Sequence, residues 1–137
     1  MDVVQLPFCA LIGVQRASDG ALVLPADTKY GNHLGTVHAG ALLTLAESAS
    51  GDCLLREFGD VGFPVVPVVR RVEAKFRKPA QGAVRGAATL TPEAKAEFLA
   101  SLTSKGRALI AVTVDVTDEH GSHALSATIE WFVAKRG

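Results

Sequence analysis

Residues 32–51, NHLGTVHAGALLTLAESASG, contain the pattern from which the fold of this chain is predicted. Glycines break its first part, which predicts a loop, and from Ala39 or Gly40 onward it becomes the longest helical pattern in the sequence. One side of this helix is an apolar stripe wide enough to lie against a sheet. The stripe consists of Leu42, Leu45, Ala46, Ala49 and Cys53. We therefore expect a buried helix that ends near Phe58 and Gly59.

The opposite side of the same helix carries one carboxylate, Glu47. Its neighbours there are Gly40, Thr44 and Gly51, whose small side chains leave room for a ligand. The first N–H groups of the helix, at Ala39 and Gly40, have no partner within the helix, and the helix dipole favours negative charge beside them. A developing oxyanion would be stabilised at this position.

Glu47 lies about 11 Å along the axis from the start of its own helix. This is too far for both to contact one small acyl group. A homodimer solves the problem if Glu47 of one subunit faces the helix start of the other.

These residues resemble the hotdog-fold acyl-CoA thioesterases. Asn32 precedes the sequence His-Ala-Gly, which begins at His38, and Glu47 follows that histidine after nine positions. A later strand ends in Arg-Lys-Pro. The likeness is greatest to the His-Gly-Gly type, which includes 4-hydroxybenzoyl-CoA and phenylacetate-pathway thioesterases, and to a thioesterase branch known only by resemblance. It covers residues 8–133.

The resemblance implies an α+β hotdog fold, in which a curved antiparallel sheet wraps a long central helix, and a homodimer or a dimer of dimers. By position, Glu47 matches the catalytic acid, Asn32 the polar residue before the motif, and Ala39 and Gly40 the amides that polarise the carbonyl. Two positions depart from the pattern. Ala39 stands where glycine is common, and Gly51 stands where some relatives carry a threonine that assists the water.

The roles of these residues leave alternatives open. Glu47 is either a general base on water or a nucleophile that forms a mixed anhydride. Asn32 either orients water or the acyl carbonyl, or only forms an Asx-turn. We count His38, Thr44 and Gly51 among the substrate-contacting candidates, with His38 bonding backbone at the helix entry rather than acting as a base. His33 and His38 make a poor metal pair, and no metal or cofactor is expected apart from coenzyme A within the substrate.

A strand is predicted over residues 68–78, where apolar and charged residues alternate. Val72, Ala74 and Phe76 share one face, and the charged residues share the other. In the resembled family the equivalent strand pairs with its symmetry mate, so we expect the dimer interface near it. Cations of this region are candidates to bind CoA phosphates, or else belong to a solvated strand face: Arg70, Arg71, Lys75, Arg77 and Lys78.

The length, net charge and cysteine content of the chain limit the classes of protein to which it can belong. Its 137 residues suit one domain, residues 1–137, and 14 basic against 14 acidic residues give no net charge, which argues against nucleic acid or an anionic membrane as partner. Cys9 and Cys53 lie in apolar surroundings without metal-type spacing, which favours reduced thiols. We see no leader peptide and no run long enough to cross a bilayer, so a cytoplasmic location is expected.

The other predicted elements flank the long helix. Strands are expected at residues 8–16, 21–25, 83–90, 107–117 and 123–133, with hairpin turns at 18–20 and 118–121 and an irregular segment at 60–67, whose two prolines delay the next strand. Thr91 and Pro92 begin a second helix that stops before Gly106.

Two other functions compete with acyl-CoA hydrolysis. The first is a non-catalytic acyl-CoA binding module on the same fold. The second is a hydratase or dehydratase, but such enzymes pair a histidine with the helix acid, and Gly62-Phe63-Pro64 lacks a histidine. The acyl group, the choice between CoA and a carrier protein, the choice between dimer and tetramer, and the pathway stay open.

Overall fold

The long helix is the central element of the computed structural model, which describes residues 1–59, 62 and 64–136. This helix, α2, spans Ala39–Phe58. Each residue of the predicted apolar stripe is buried, as expected from its spacing. The other helices are α1 at Pro7–Ile12 and α3 at Pro92–Lys105. The strands are β1 at Gln15–Arg16, β2 at Leu22–Leu24, β3 at Val65–Phe76, β4 at Val84–Thr89, β5 at Arg107–Asp118 and β6 at His123–Lys135.

The strands within the described residues form one antiparallel sheet in the order β1-β2-β4-β5-β6-β3. Helix α2 lies against β2, β4 and β5, so the sheet curves around it. The packing is closest at Gly86 on β4, where a Cβ atom would lie 3.2 Å from the Cβ of Ala49. The predicted strand of small residues therefore does lie directly under the helix.

The first predicted strand, residues 8–16, is wrong over most of its length. Residues Pro7–Ile12 form helix α1, and only Gln15–Arg16 are extended. Pro7 begins the helix, where its missing N–H costs nothing, and Gly13 ends it with a φ of 95°. A short apolar run does not distinguish a buried strand from a helix, so the flanking proline and glycine were the better signal.

Strand β3 begins earlier than predicted. It starts at Val65 rather than at residue 68, and Pro67 pairs with Val133 inside the ladder. A proline is accepted there because β3 is at the edge of the sheet, where one side of the strand needs no N–H donor. The predicted irregular segment is described only in part, since residues 60, 61 and 63 lie outside the described residues.

The predicted alternation along β3 is confirmed by its register. Val72, Ala74 and Phe76 pair with Ile129, Ala127 and Leu125, which are buried on the helix side of β6. Within the described part of the chain, no element covers the 72–76 part of this face, because α2 lies mainly over β4, β5 and β2. Val72 and Phe76 consequently remain 44% and 47% exposed.

The remaining predictions for the second half of the chain agree with the structure. Thr91 caps α3 by accepting a hydrogen bond from the Ala94 N–H at 3.1 Å, and Gly106 ends it. Strands β5 and β6 form the closing hairpin, in which Asp118 accepts hydrogen bonds from the turn. None of the helices in the described part of the chain is both long and apolar enough to span a membrane.

Candidate functional site

His38 is the N-cap of α2. Its Nδ1 atom accepts a hydrogen bond of 2.8 Å from the Gly40 N–H, and its own N–H donates to the Tyr30 carbonyl at 2.7 Å. This is the predicted bonding of backbone at the helix entry. It also means that the Gly40 N–H is occupied in the single chain. A ligand oxygen here would use the Ala39 N–H, or would displace the imidazole from Gly40.

Asn32 is bound within its own loop. Its Oδ1 atom accepts from the N–H groups of Leu34 at 2.9 Å and Thr36 at 3.0 Å, and its Nδ2 atom donates to the Thr36 hydroxyl at 2.8 Å. These contacts are those of an Asx-turn, which was one of the two predicted roles. The side chain fixes the loop that leads into α2. Its direct role in chemistry stays a prediction.

A cavity of about 310 Å³ lies beside this helix entry, and we call it the helix-start cavity. Its walls include Asn32, Thr36, Ala39, Phe76, Arg77 and Lys78. The structure thus brings the loop, the first turn of α2 and Lys78 to one place, while Arg77 lines the same cavity but donates from Nε to the Ser126 hydroxyl at 2.8 Å. Cations at the mouth of a cavity that also contains helix amides suit a phosphorylated ligand.

The other three predicted cations, Arg70, Arg71 and Lys75, lie elsewhere, and the Cζ atom of Arg70 is 5.8 Å from the centroid of the Phe132 ring. Because Val72, Ala74 and Phe76 face the helix side, the alternating residues Arg71 and Lys75 face the opposite side of the sheet. Arg71 forms an exposed ion pair with Glu73. The structure therefore does not bring Arg71 and Lys75 to the helix-start cavity, and their role as phosphate ligands stays a prediction. The geometry of a single chain supports the solvated-face interpretation for both.

Glu47 opens into a second cavity, of about 270 Å³, which we call the Glu47 cavity. Apart from Glu47 and Ser48 its walls are apolar or small, and they include Val3, Leu6, Gly51, Leu54, Leu55 and Trp131. Glu47 is half-buried, and this burial raises the pKa of its carboxyl above the ordinary value for glutamate. A carboxylate with a raised pKa is a better proton acceptor than an ordinary glutamate, which suits it to general-base chemistry.

Gly51 is small because an indole ring lies against it. A Cβ atom at Gly51 would lie 3.3 Å from Cζ2 of Trp131, so the threonine of some relatives would press on this ring. Trp131 donates from Nε1 to the Ser50 hydroxyl at 2.9 Å, and Ser50 in turn donates to the Glu47 carbonyl at 2.7 Å. The indole therefore holds the turn of helix that carries Glu47.

Thr44 and Cys53 contribute less to the chemistry. The Thr44 hydroxyl donates to the Gly40 carbonyl at 2.8 Å, a bond within the helix, so its substrate contact stays a prediction. Burial raises the pKa of the Cys53 thiol, which disfavours the reactive thiolate. Among the residues that the structure describes, no group of His, Cys, Asp and Glu is placed to hold a metal ion.

A buried ion pair beside the site was not predicted. Asp52 is 5% exposed and accepts two hydrogen bonds from Arg16, at 2.8 Å and 3.2 Å. Arg16 also pairs with Asp2 at 2.7 Å, which ties the N-terminal segment to α2 next to the Glu47 cavity. The one available signal was an aspartate in the apolar half of an amphipathic helix, a position that needs a partner.

The two cavities belong to opposite ends of β3. Pro67 lines the Glu47 cavity and Phe76 lines the helix-start cavity. Nine residues of extended chain separate them, which is about 30 Å. Because Glu47 lies about 11 Å along α2 from the helix start, the carboxylate and the helix-start amides of one chain do not both contact one small acyl group.

Comparison with known proteins assigns the family. The family whose model matches is described as a domain of unknown function, DUF4442, and the match covers residues 14–133. The chain belongs to this family. No curated protein matches it.

Solved structures establish the fold of this DUF4442 protein. PA5026 from Pseudomonas aeruginosa, a protein of unknown function called a probable thioesterase, superposes with a TM-score of 0.81 at 25% identity, over 98% of this chain and 91% of its own. OLEI01261 from Chlorobaculum tepidum, a protein of unknown function, superposes with a TM-score of 0.83 at 19% identity. The superposition covers 96% of this chain and 88% of OLEI01261. BH2602 from Bacillus halodurans, solved with CoA, superposes with a TM-score of 0.70 at 22% identity. The superposition covers 92% of this chain and 74% of BH2602. The predicted resemblance to hotdog thioesterases and the hotdog fold itself are confirmed.

Proposed function

We propose that this DUF4442 protein hydrolyses an acyl-CoA, or a related acyl thioester, to the free acid and the thiol. The observation that carries the proposal is a half-buried carboxylate, Glu47, opening into an apolar cavity on the central helix. The likeness to PA5026, called a probable thioesterase, and to BH2602, solved with CoA, supports a thioester substrate. Lys78 at the helix-start cavity suits the phosphates of CoA, and Arg77, which lines the same cavity, would join it by releasing Ser126.

The proposed site is completed by a second copy of the chain. β3 is an edge strand with an uncovered apolar face, and such an edge is a ready template for pairing with another chain. Antiparallel pairing of two β3 strands about a two-fold axis near their midpoint places the Pro67 end of one beside the Phe76 end of the other. Each Glu47 cavity then faces the helix-start cavity of the second subunit.

In this arrangement the thioester carbonyl lies between the two subunits. The Ala39 N–H donates to the carbonyl oxygen and stabilises the negative charge that develops during attack. The Glu47 carboxylate takes a proton from the attacking water, and that proton then serves the departing thiolate. In the alternative route Glu47 attacks directly and water cleaves the mixed anhydride. A single turnover in H₂¹⁸O identifies the second route if water attacks the Glu47 carbonyl of the anhydride, because only then does label appear in the Glu47 carboxyl group; attack at the acyl carbonyl places the label in the product acid, as general-base catalysis does.

The test is thiol release from a panel of acyl-CoAs by the wild type and by Glu47→Gln. We expect measurable release by the wild type and a loss of about 10²-fold or more in the variant, because a general base contributes about 10²–10⁴-fold. Size-exclusion chromatography must show that both proteins have the same oligomeric state. Equal release by the variant, or none by either protein, would contradict the proposal.

A non-catalytic acyl-CoA binding module is the second candidate, and the loop favours it. Asn32 is bound to its own loop, the Gly40 N–H is taken by His38, and Gly51 lacks the hydroxyl that assists water in some relatives. Such a module would bind an acyl-CoA with an affinity that Glu47→Gln leaves unchanged and would release no thiol. Calorimetry beside the thiol assay separates the two functions.

A further inference from the structure

A third cavity lies next to the Glu47 cavity along α2. It has a volume of about 260 Å³, and we call it the Phe58 cavity. The two cavities share the walls formed by Met1, Leu54, Leu55 and Pro67. Beyond these shared walls the Phe58 cavity is lined by Phe58, Pro64, Val65, Phe98, Leu102 and Val133. Every side chain on this list is apolar, so the Phe58 cavity suits a hydrocarbon.

The spacing of residues on α2 shows why the cavities follow one another. Glu47, Gly51, Leu55 and Phe58 recur at intervals of three or four and therefore lie along one stripe of the helix. The stripe runs from the carboxylate toward the C-terminal end of α2. Both cavities lie on it, with Glu47 at one end and Phe58 at the other.

We propose that the acyl group of the substrate is a straight aliphatic chain, which runs from Glu47 past Leu55 into the Phe58 cavity. This rests on the proposed thioesterase function and names its substrate class. The two ends of the stripe are about 16 Å apart along the helix axis. A zigzag of carbon atoms joined by bonds of about 1.5 Å advances about 1.3 Å per carbon. A chain of about ten to twelve carbons therefore fills the path.

An aromatic acyl group fits the path less well. A benzoyl or phenylacetyl ring would occupy the first cavity and leave the Phe58 cavity without a ligand. A hydroxylated ring would in addition need a polar partner. Apart from Glu47, the polar side chain in the Glu47 cavity is Ser48, which is buried and lies 3.4 Å from the sulfur of Cys9.

The N-terminal segment forms one wall of the Glu47 cavity. Val3 and Leu6 line the Glu47 cavity, and Asp2 between Met1 and Val3 is held by Arg16 at 2.7 Å. Arg16 is itself bound to the buried Asp52 of α2. The N-terminal segment is therefore attached to α2, the helix along which the acyl chain would lie. In this position the segment would shield the acyl chain from water.

The test uses non-hydrolysable thioether analogues of acyl-CoA, so that binding is measured without turnover. Calorimetry compares short, medium and dodecyl chains with a benzyl analogue. We expect at least about a hundredfold tighter binding of the dodecyl analogue than of the butyl one, since each buried methylene contributes favourably. Tightest binding of the benzyl analogue, or affinity independent of chain length, would overturn the proposal.

Two variants locate the path. Leu55→Trp places a larger side chain between the two cavities. We expect this variant to lose the gain in affinity for chains longer than about six carbons, while short analogues bind within threefold of their affinity for the wild type. Leu99→Trp on α3, at a position 41% exposed and outside both cavities, is the matched control and should behave as the wild type. Equal loss for all chain lengths in a folded Leu55→Trp, or no loss at all, would contradict the path.

A further variant covers the case in which Leu55→Trp does not fold. Val65→Phe fills only the Phe58 cavity, and it should shorten the preferred chain by several carbons; an unchanged preference would contradict the path. Failure of the thioesterase function gives a different result. In that case no analogue pattern changes, but natural acyl-CoAs release no thiol.

Discussion

At the scale of single residues, Glu47 is a carboxyl group whose burial disfavours the charged form. Burial raises its pKa in the folded chain above that in the unfolded chain, so the folded state holds the proton more tightly. Folding stability therefore falls as the pH rises through the interval between the unfolded and the folded pKa. Below the unfolded pKa this cost is absent.

This gives a pH-dependent prediction for Glu47→Gln. The variant should melt at a higher temperature than the wild type at pH 7, and the difference should vanish below about pH 4, near the unfolded pKa. Thermal melts across pH test this, with Glu97→Gln at an exposed position as control. A Glu47→Gln protein that is less stable than the wild type at pH 7 would show that the carboxylate has a stabilising partner.

The ion pair of Asp52 gives a second prediction. Asp52→Ala removes the partner of Arg16 and should cost about 2–4 kcal/mol of unfolding free energy, since a buried pair that loses one member costs about 3–5 kcal/mol and Arg16 keeps some contact with water. Arg56→Ala is the control. Its guanidinium is largely exposed and also contacts Asp52, so it should cost less than about 1 kcal/mol. Urea unfolding measures both, and equal costs would contradict the assignment.

The sequence predicted Glu47 but not its neighbour Asp52, for a physical reason. The position of Glu47 follows from helical spacing, which is local. The partner of Asp52 is Arg16, which lies 36 positions away and is brought near only by the β1–β2 hairpin. Spacing along the chain carries no signal for such a contact.

At the scale of elements, close packing of α2 on β4 depends on Gly86. Gly86→Val should cost about 1–3 kcal/mol, because its side chain would overpack the space held by Ala49 and Leu45. Ala87→Val, on the neighbouring exposed position of the same strand, should change stability by less than about 0.5 kcal/mol. Chemical denaturation of the two variants tests the helix-to-sheet packing. A tolerated Gly86→Val would mean that the helix can move away from the sheet.

Long periodic elements were predictable and short ones were not. The bounds of α2 and α3 follow from their caps, Thr91 at one start and Gly106 at one end among them. Helix α1 is six residues long, too short for its periodicity to be read, and β3 extends through Pro67 because an edge strand accepts proline. Edge position is a property of the sheet order, which sequence patterns do not reveal.

At the scale of the whole molecule, the uncovered face of β3 predicts a dimer. Val72→Lys places a charge on this face, and we expect a folded monomer whose thioesterase activity falls at least about a hundredfold, since each half-site loses its complement. Leu99→Lys, at a position exposed to a similar degree on α3, should leave both the dimer and the activity intact. Sedimentation and the thiol assay test the pair. An active monomer would contradict a shared site.

Part of the proposed two-subunit site could be predicted from the sequence. Glu47 lies about 11 Å along the axis from the start of its helix, and this distance led to the prediction of a site shared by two subunits. The placement of Lys78 at the helix-start cavity, with Arg71 and Lys75 on the other side of the sheet and Arg77 bound to Ser126, follows from strand register and from where β3 ends. Alternation along the chain does not by itself show which of the five cations lie at the cavity, because that depends on the facing strand and on where β3 ends.

The most direct test of the shared site is complementation between two inactive variants. Glu47→Gln removes the carboxylate. Ala39→Pro removes an amide donor at the first helical position, where proline is accepted and where the preceding His38, with ψ of 139°, already has a suitable conformation. We expect each homodimer to lose about 10²-fold or more of the activity.

The measurement is thiol release by the heterodimer, purified through two different tags after coexpression. One of its two sites carries both substitutions, and the other combines the native Glu47 of one chain with the native Ala39 of the other. We predict about half of the wild-type activity per dimer. A heterodimer as inactive as its parents would contradict the account, because it would place the carboxylate and the amides that act on one thioester in a single chain.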